Sequence, residues 1–390
     1  MDQGREPVID YVWRGKFREI EAVLKRQYPA CSDNLDNHIW YADLVEGRDL
    51  ETMLKKRVVC VPGFWDPGED VSALIRQNID RHFAEWRFDP EATPLRLREL
   101  SELKRSENEA MFRKLPVGYG PPLNQYMNDE TVRLGEISDD SIVLQKACYL
   151  DQLGTNILCD VPLEGGRSFR EMDLSDKGRP RPFSQSILAN TIGVCGIFVD
   201  RDRNPVLRYR RQKRAGERMA IMDEGWHCTS SGVLTFSDVF RPGVEVRSIS
   251  EVMRGLVRES NYETGIWEHE NLYEGRVIAF GRELKRAGKP QFFHEIRFKT
   301  LNANEIIERI RTSFKVEGDE YAGQRDRLGV AGRIIDWFKI GGLGTDTDVL
   351  VDERLNLNVL TRQKLKAIAD SGEIKMTFEC FANLYLLCDA

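Results

Sequence analysis

Apolar positions recur with two periods along this chain. In FREIEAVLKRQY and SALIRQNIDRHFAEW they return every three to four residues, which predicts helices with one buried face. RVVCVPGF (57–64) is a short apolar run halted by Pro and Gly, and it predicts a strand. LRLRELSELKRSENEAMFRKL (95–115) predicts a further helix, strongly charged on one side. Residues 1–116 thus read as a helix-rich N-terminal domain with one buried strand. VGYGPPLNQY (117–126) is dense in turn formers and opens a lead-in segment, 117–187. There VRLGEIS, SIVLQKACYL and TNILCDVPL predict strands or short helices, and DLSDKGRPRPFSQS (173–186) predicts a surface loop.

The most regular part is 188–300. NTIGVCGIFVD and PVLRYRR form a predicted hairpin across the turn DRDRN. WHCTSSGVLTF predicts a strand kinked at its small residues. NLYEGRVIAFGREL and PQFFHEIRFKT predict two more strands, joined through KRAGK. The segment 301–390 is helical in pattern. ANEIIERIRTSF sets Ile306 and Ile310 on one face, GVAGRIIDWFKIGG (329–342) can form another helix, and LTRQKLKAIADSGEIKMTFECFANLYLL gives two helices split at Ser-Gly. The predicted class is α+β, a mixed sheet between helices.

Length and composition sharpen this only modestly. At 390 residues, two domains are the default. With 41% hydrophobic and 31% charged residues, no run approaches the ~20 apolar residues of a membrane span. The N-terminus lacks the apolar core of a signal peptide, so the expectation is a cytoplasmic protein with no membrane partner. A net charge of -6 argues against a protein that coats nucleic acid. None of the eight cysteines forms a CxxC, which predicts buried free thiols.

The candidate chemistry lies after SISEVMRGLV. Ser248 and Glu251 have capping-box spacing, and Gly265 is a natural stop. At 100° per residue, Val252, Leu256, Glu259 and Glu263 fall on one row, opposite Arg254 and Arg258. A buried stripe therefore runs into two carboxylates. Like charges at i and i+4 repel, and a bridging divalent cation reverses the sign. Oxygen ligands at this spacing suit Mg²⁺ or Mn²⁺. The alternative is a frayed helix end with both glutamates in water.

RESNYETGI (258–266) resembles the core of the Nudix box, REUxEExGU with U aliphatic. Arg258, Glu259, Glu263, Gly265 and Ile266 match. Tyr262 replaces the first glutamate of the EE pair, Ser260 replaces an aliphatic residue, and the spacing to an upstream glycine such as Gly232 is too long. LANTIGVCGIFVDRDRNPVLRYRR resembles the opening hairpin of that family, GKPQFFHEIRF its later strand, and LQKACYLDQLGTN the segment before the fold. The resemblance covers roughly 130–300. It implies a mixed sheet between helices, and Mg²⁺ or Mn²⁺ used to hydrolyse a nucleoside diphosphate derivative. Glu259 and Glu263 map onto metal-binding or base positions, and Arg258 onto the arginine that orients a glutamate. Glu295 is the candidate later glutamate, with an outward-facing strand residue as its plain alternative. Members are often dimers, so a homodimer is a family expectation.

Two further residues are candidates for ligand contact. Arg211, in RYRRQKRAGER, suits a diphosphate, against a solvated loop as the alternative. Trp226 can stack on a base or simply pack. Three functions remain open: a metal-dependent hydrolase, a nucleotide-binding or regulatory module that kept the fold and lost the chemistry, and an isomerase-type site needing a cysteine such as Cys228. GGLGTD (341–346) lacks the ending of a phosphate-binding P-loop.

Overall fold

The computed structural model describes residues 17–31, 35, 40–85, 130–210, 225–239, 248–249, 255–257, 260, 273–310 and 349–388. The turn-rich stretch 117–126 and the candidate helices at 95–115 and 329–342 lie outside these residues. The described strands are β1 (Tyr41–Glu46), β2 (Arg57–Phe64), β3 (Glu130–Ile137), β4 (Ser141–Cys148), β5 (Gly193–Val199), β6 (Pro205–Arg210), β7 (Gly225–His227), β8 (Ser230–Val233), β9 (Tyr273–Glu283), β10 (Lys289–Phe298) and β11 (Val349–Leu350). With the helices they make an α+β protein.

The larger sheet runs β1-β9-β10-β5-β6-β11, with β7 beside β6 and β8 beside β5. Its centre is a parallel pair, β5 with β10, in register from Gly193 opposite Gln291 to Val199 opposite Arg297. Its other pairings are antiparallel. β5 is buried at every position, because both faces of the sheet are covered.

On one face lies helix Phe378–Leu387. Its sequence, FECFANLYLL, is apolar almost all round, which suits a helix enclosed by its neighbours. Thr377 caps it by accepting from the Cys380 N–H at 3.4 Å. Helix Arg362–Ser371 beside it is capped by Thr361 and stopped by Gly372 at φ 73°. On the other face, helix 303–310 contributes buried Ile306 and Ile310, as its period predicts. Leu256 joins the same core.

The smaller sheet is β2-β4-β3. Isolated bridges from Thr131 to Thr235 and from Arg133 to Thr191 tie it to the main body. Residues 17–85, read as helix-rich with one strand, hold two. β2 pairs with β4, and β1 pairs with β9 as an edge of the large sheet. β1 has no clean alternation to detect, because Asp43 at φ 52° and a register shift between Ala42 and Val45 break it.

Two local expectations gain detail. Of the strand or short helix predicted at TNILC, the chain takes the helical alternative: Leu153–Ile157 is a π-helical turn continuing helix Tyr149–Gln152. A Cβ on Gly154 would lie 2.8 Å from Ile75 Cγ2, so helix Glu69–Glu85 packs directly onto that turn. The loop 173–186 is exposed at Asp176 and Lys177 but anchored below. Asp173 is buried and accepts from the Ile187 N–H at 2.9 Å and the Ser186 hydroxyl at 3.0 Å. Burial outweighs these bonds and pushes its carboxyl up to about 6.

One cation joins three parts of the chain. Arg170, 2% exposed, donates to both oxygens of Asp160 at 2.6 and 2.8 Å and to the Tyr28 hydroxyl at 2.7 Å. It also donates to the carbonyls of Leu284 and Lys285, in the turn between β9 and β10. Burial opposes its charge, but Asp160, Cys159 and Tyr28 outweigh that and hold it firmly protonated.

Candidate functional site

The helix expected after Ser248 is described only in part. Ser248 bridges Arg57, Ile249 follows in a helical turn, and 255–257 and 260 are helical. Arg258, Glu259 and Glu263 lie outside the described residues, as does Arg211. Leu256 is fully buried, as the row predicts, and so is Ser260, which stands at the aliphatic position of the box. A Cβ on Gly196 of β5 would lie 3.1 Å from both Leu256 Cδ1 and Ile296 Cδ1. The missing side chain is what lets this segment sit on the central strand pair.

Glu295 has a different role from a metal ligand. Phe292, Ile296 and Phe298 share the core of Leu256, whereas Phe293 packs on the opposite face with helix Phe378–Leu387. Strand alternation puts Glu295 on the Phe293 side, away from Leu256. Nor does it face outward into water: it is 2% exposed. One carboxylate oxygen accepts from Arg203 Nη1 and the other from Arg276 Nε, each at 2.6 Å. Both oxygens are therefore occupied by guanidinium groups. Among the described residues, no group of three or more His, Cys, Asp or Glu is arranged to hold a metal ion.

Trp226 packs edge-on against Tyr209, with centroids 5.0 Å apart. Its backbone donates to the Lys375 carbonyl and accepts from the Thr377 N–H, tying β7 to the C-terminal helices. Cys228 is fully buried and burial raises its thiol well above the usual range, which opposes the thiolate an isomerase-type site needs. All eight cysteines are free thiols. His294, beside Glu295, is fully buried on the Leu256 face. Burial lowers it to about 4, so the ring is neutral, with Nδ1 3.0 Å from the Cys195 carbonyl.

A second polar group was missed at the sequence level. On the face covered by helix Phe378–Leu387, Lys289 and Gln291 of β10 are each 1% exposed and Glu283 of β9 is 6% exposed. Lys289 lies directly across from Glu283. Ser231 of β8 donates to Glu379 Oε2 at 2.8 Å, and Arg286 Nη1 lies 3.6 Å from Glu283 Oε2. Burial, reinforced by Glu283, raises the Glu379 carboxyl against the opposing pull of Arg286, Ser231 and Lys289. Burial, reinforced by Arg286, lowers Lys289 to about 8. In the sequence Lys289 closes KRAGK, an ordinary polar turn. The only hint was that PQFFHEIRF follows it without a break.

No helix among the described residues is long and apolar enough to cross a membrane. No protein-family model matches the chain, and no curated protein matches it.

Proposed function

We propose that this protein is a Nudix-like, metal-dependent hydrolase of a nucleoside diphosphate derivative. The observation that carries the reading is the layering around the parallel pair. The segment bearing Leu256 and Ser260 sits on Gly196 on one face, and helix Phe378–Leu387 covers the other. A mixed sheet between helices, with the box helix seated on it, is the arrangement the resemblance of RESNYETGI implies.

In this reading Glu259 and Glu263 hold Mg²⁺ or Mn²⁺, and Arg258 orients one of them. The ion, when bound, supplies charge screening for the diphosphate and activation of a water. Buried Leu256 and Ser260 fix the helix on the sheet. Glu295 takes no metal; it orders Arg203 and Arg276. Arg211 is the proposed diphosphate contact.

The test is incubation of the full chain with Mg²⁺ or Mn²⁺ and a panel of nucleoside diphosphate derivatives, products being read by mass spectrometry. Cleavage should require metal and fall by on the order of a hundredfold or more in a Glu259→Gln/Glu263→Gln double variant. Tyr262 in place of a box glutamate favours a second reading, a nucleotide-binding module without chemistry. Ligand-induced thermal stabilisation with no cleavage by the folded wild type selects it.

A further inference from the structure

Lys289 is a buried cation short of partners. Its ammonium has three donors, and among the described residues it makes one hydrogen bond, 3.5 Å to Gln291 Oε1. Two carboxylates are near enough to favour its charge, yet neither forms an ion pair with it: Glu283 is engaged by Arg286 and Glu379 by Ser231. Cys195 and Tyr41 border the same group, from β5 and β1. A fold built only for stability gains nothing from such an ammonium, since an apolar side chain of that length avoids its desolvation.

Space has been kept for it. A Cβ on Gly193 would lie 2.0 Å from Gln291 Oε1 and 2.3 Å from Lys289 Nζ. The group also reaches solvent: Ser231 and Glu379 are half-buried and the Arg286 side chain is 32% exposed.

The charges indicate the ligand class. Among the described residues Lys289 and Arg286 balance Glu283 and Glu379, so an added phosphate or ammonium ion would upset that balance. A neutral group that accepts from Lys289 and donates to Glu379 fits it. The edge of a nucleobase presents a carbonyl or ring-nitrogen acceptor next to an N–H donor. We propose that Ser231, Arg286, Lys289, Gln291 and Glu379 form the subsite that reads the base of the nucleotide. The proposal rests on the nucleotide reading above but not on the metal or on hydrolysis. Polar sites of this kind discriminate strongly, because a ligand lacking the matching group leaves buried donors unmet.

The test uses the full chain without metal and four probes that carry no phosphate: adenosine, guanosine, cytidine and uridine, titrated calorimetrically. At least one should bind. Its Kd should rise about tenfold or more in Lys289→Met and in Glu379→Gln, one good hydrogen bond being worth about that much. Gly193→Ala, which displaces Lys289 and Gln291 without removing either, should weaken it likewise and stands in if the polar variants misfold. Arg354→Ala, at an exposed ion pair outside this group, should bind as wild type does. Absence of nucleoside binding, binding equal in wild type and folded variants, or binding of inorganic phosphate alone would each overturn the subsite. Nucleoside binding that needs Lys289, in a protein that cleaves nothing, would sink the hydrolase reading and leave this one standing.

Discussion

Arg170 and Lys289 are both almost fully enclosed cations, and the protein treats them in opposite ways. Arg170 meets a carboxylate, a phenol and two carbonyls, and its charge is held firmly. Among the described residues Lys289 meets one amide at 3.5 Å, and burial lowers its pKa to about 8, so its charge is held loosely. The guanidinium has its geometry completed by the chain that folds around it. The ammonium has most of its donors unspent among the same residues. Burial alone therefore says little about why a charge is kept; the tally of donors and acceptors around it separates a structural cation from one set aside for recognition.

The largest expected effect sharpens the first half of this contrast. Arg170→Met strands Asp160, whose side chain is only 9% exposed, and should cost about 3–5 kcal/mol in denaturant unfolding. A loss below about 1 kcal/mol would break the contrast, since Arg170 would then be as dispensable as Lys289. Next is Lys289→Met, which should stabilise the protein by about 1–3 kcal/mol at pH 7. The sign follows from the folded pKa of about 8 against an ordinary 10.5. Below pH 8 the folded state carries the full penalty of a buried ammonium. Between pH 8 and 10.5 the folded chain has lost this proton while the unfolded chain retains it. Stability of the wild type relative to Lys289→Met should therefore rise with pH across that window. A flat difference would mean that the ammonium is well solvated after all.

Thr377→Ala removes the cap of the helix that carries Glu379 and should cost about 1 kcal/mol. It should also loosen nucleoside binding if Glu379 acts where the helix places it, whereas Thr361→Ala on the neighbouring helix should cost similar stability and leave binding alone. Smallest is Arg276→Ala. With its side chain 53% exposed and Arg203 still paired to Glu295, the loss should stay under about 1 kcal/mol. Thermal unfolding of the single variants and of the Arg203→Ala/Arg276→Ala pair would show whether the buried carboxylate tolerates one partner but not none.

Local patterns carried much of the fold. β5, β6, β9, β10 and the helices ending at Ser371 and Leu387 were legible because alternation, helical period and capping residues are written within a few positions. β1 was not, because its bulge at Asp43 disrupts alternation and its partner β9 lies more than 200 residues away. At Leu153 the pattern left strand and short helix open, because what packs there, Ile75 against Gly154, comes from another helix. For the candidate site the limit is similar. Glu295 was found as a residue, but two distant arginines fix its role. Lys289 was passed over because a turn lysine bound for the interior looks, residue by residue, like one bound for water.

The covering of the central sheet by helix Phe378–Leu387 has a consequence for how the molecule is made. Cys195 and Asn383, which hydrogen-bond across that interface, are 188 residues apart. During synthesis β5 emerges long before the helix that shields it, and its apolar face must wait, uncovered, for most of the remaining chain. Pairings of such long sequence separation are slow to close. The nascent protein thus passes through an interval in which its stickiest surface is finished and its cover is not, and its yield in a cell should depend on chaperones able to guard that face until the helix arrives.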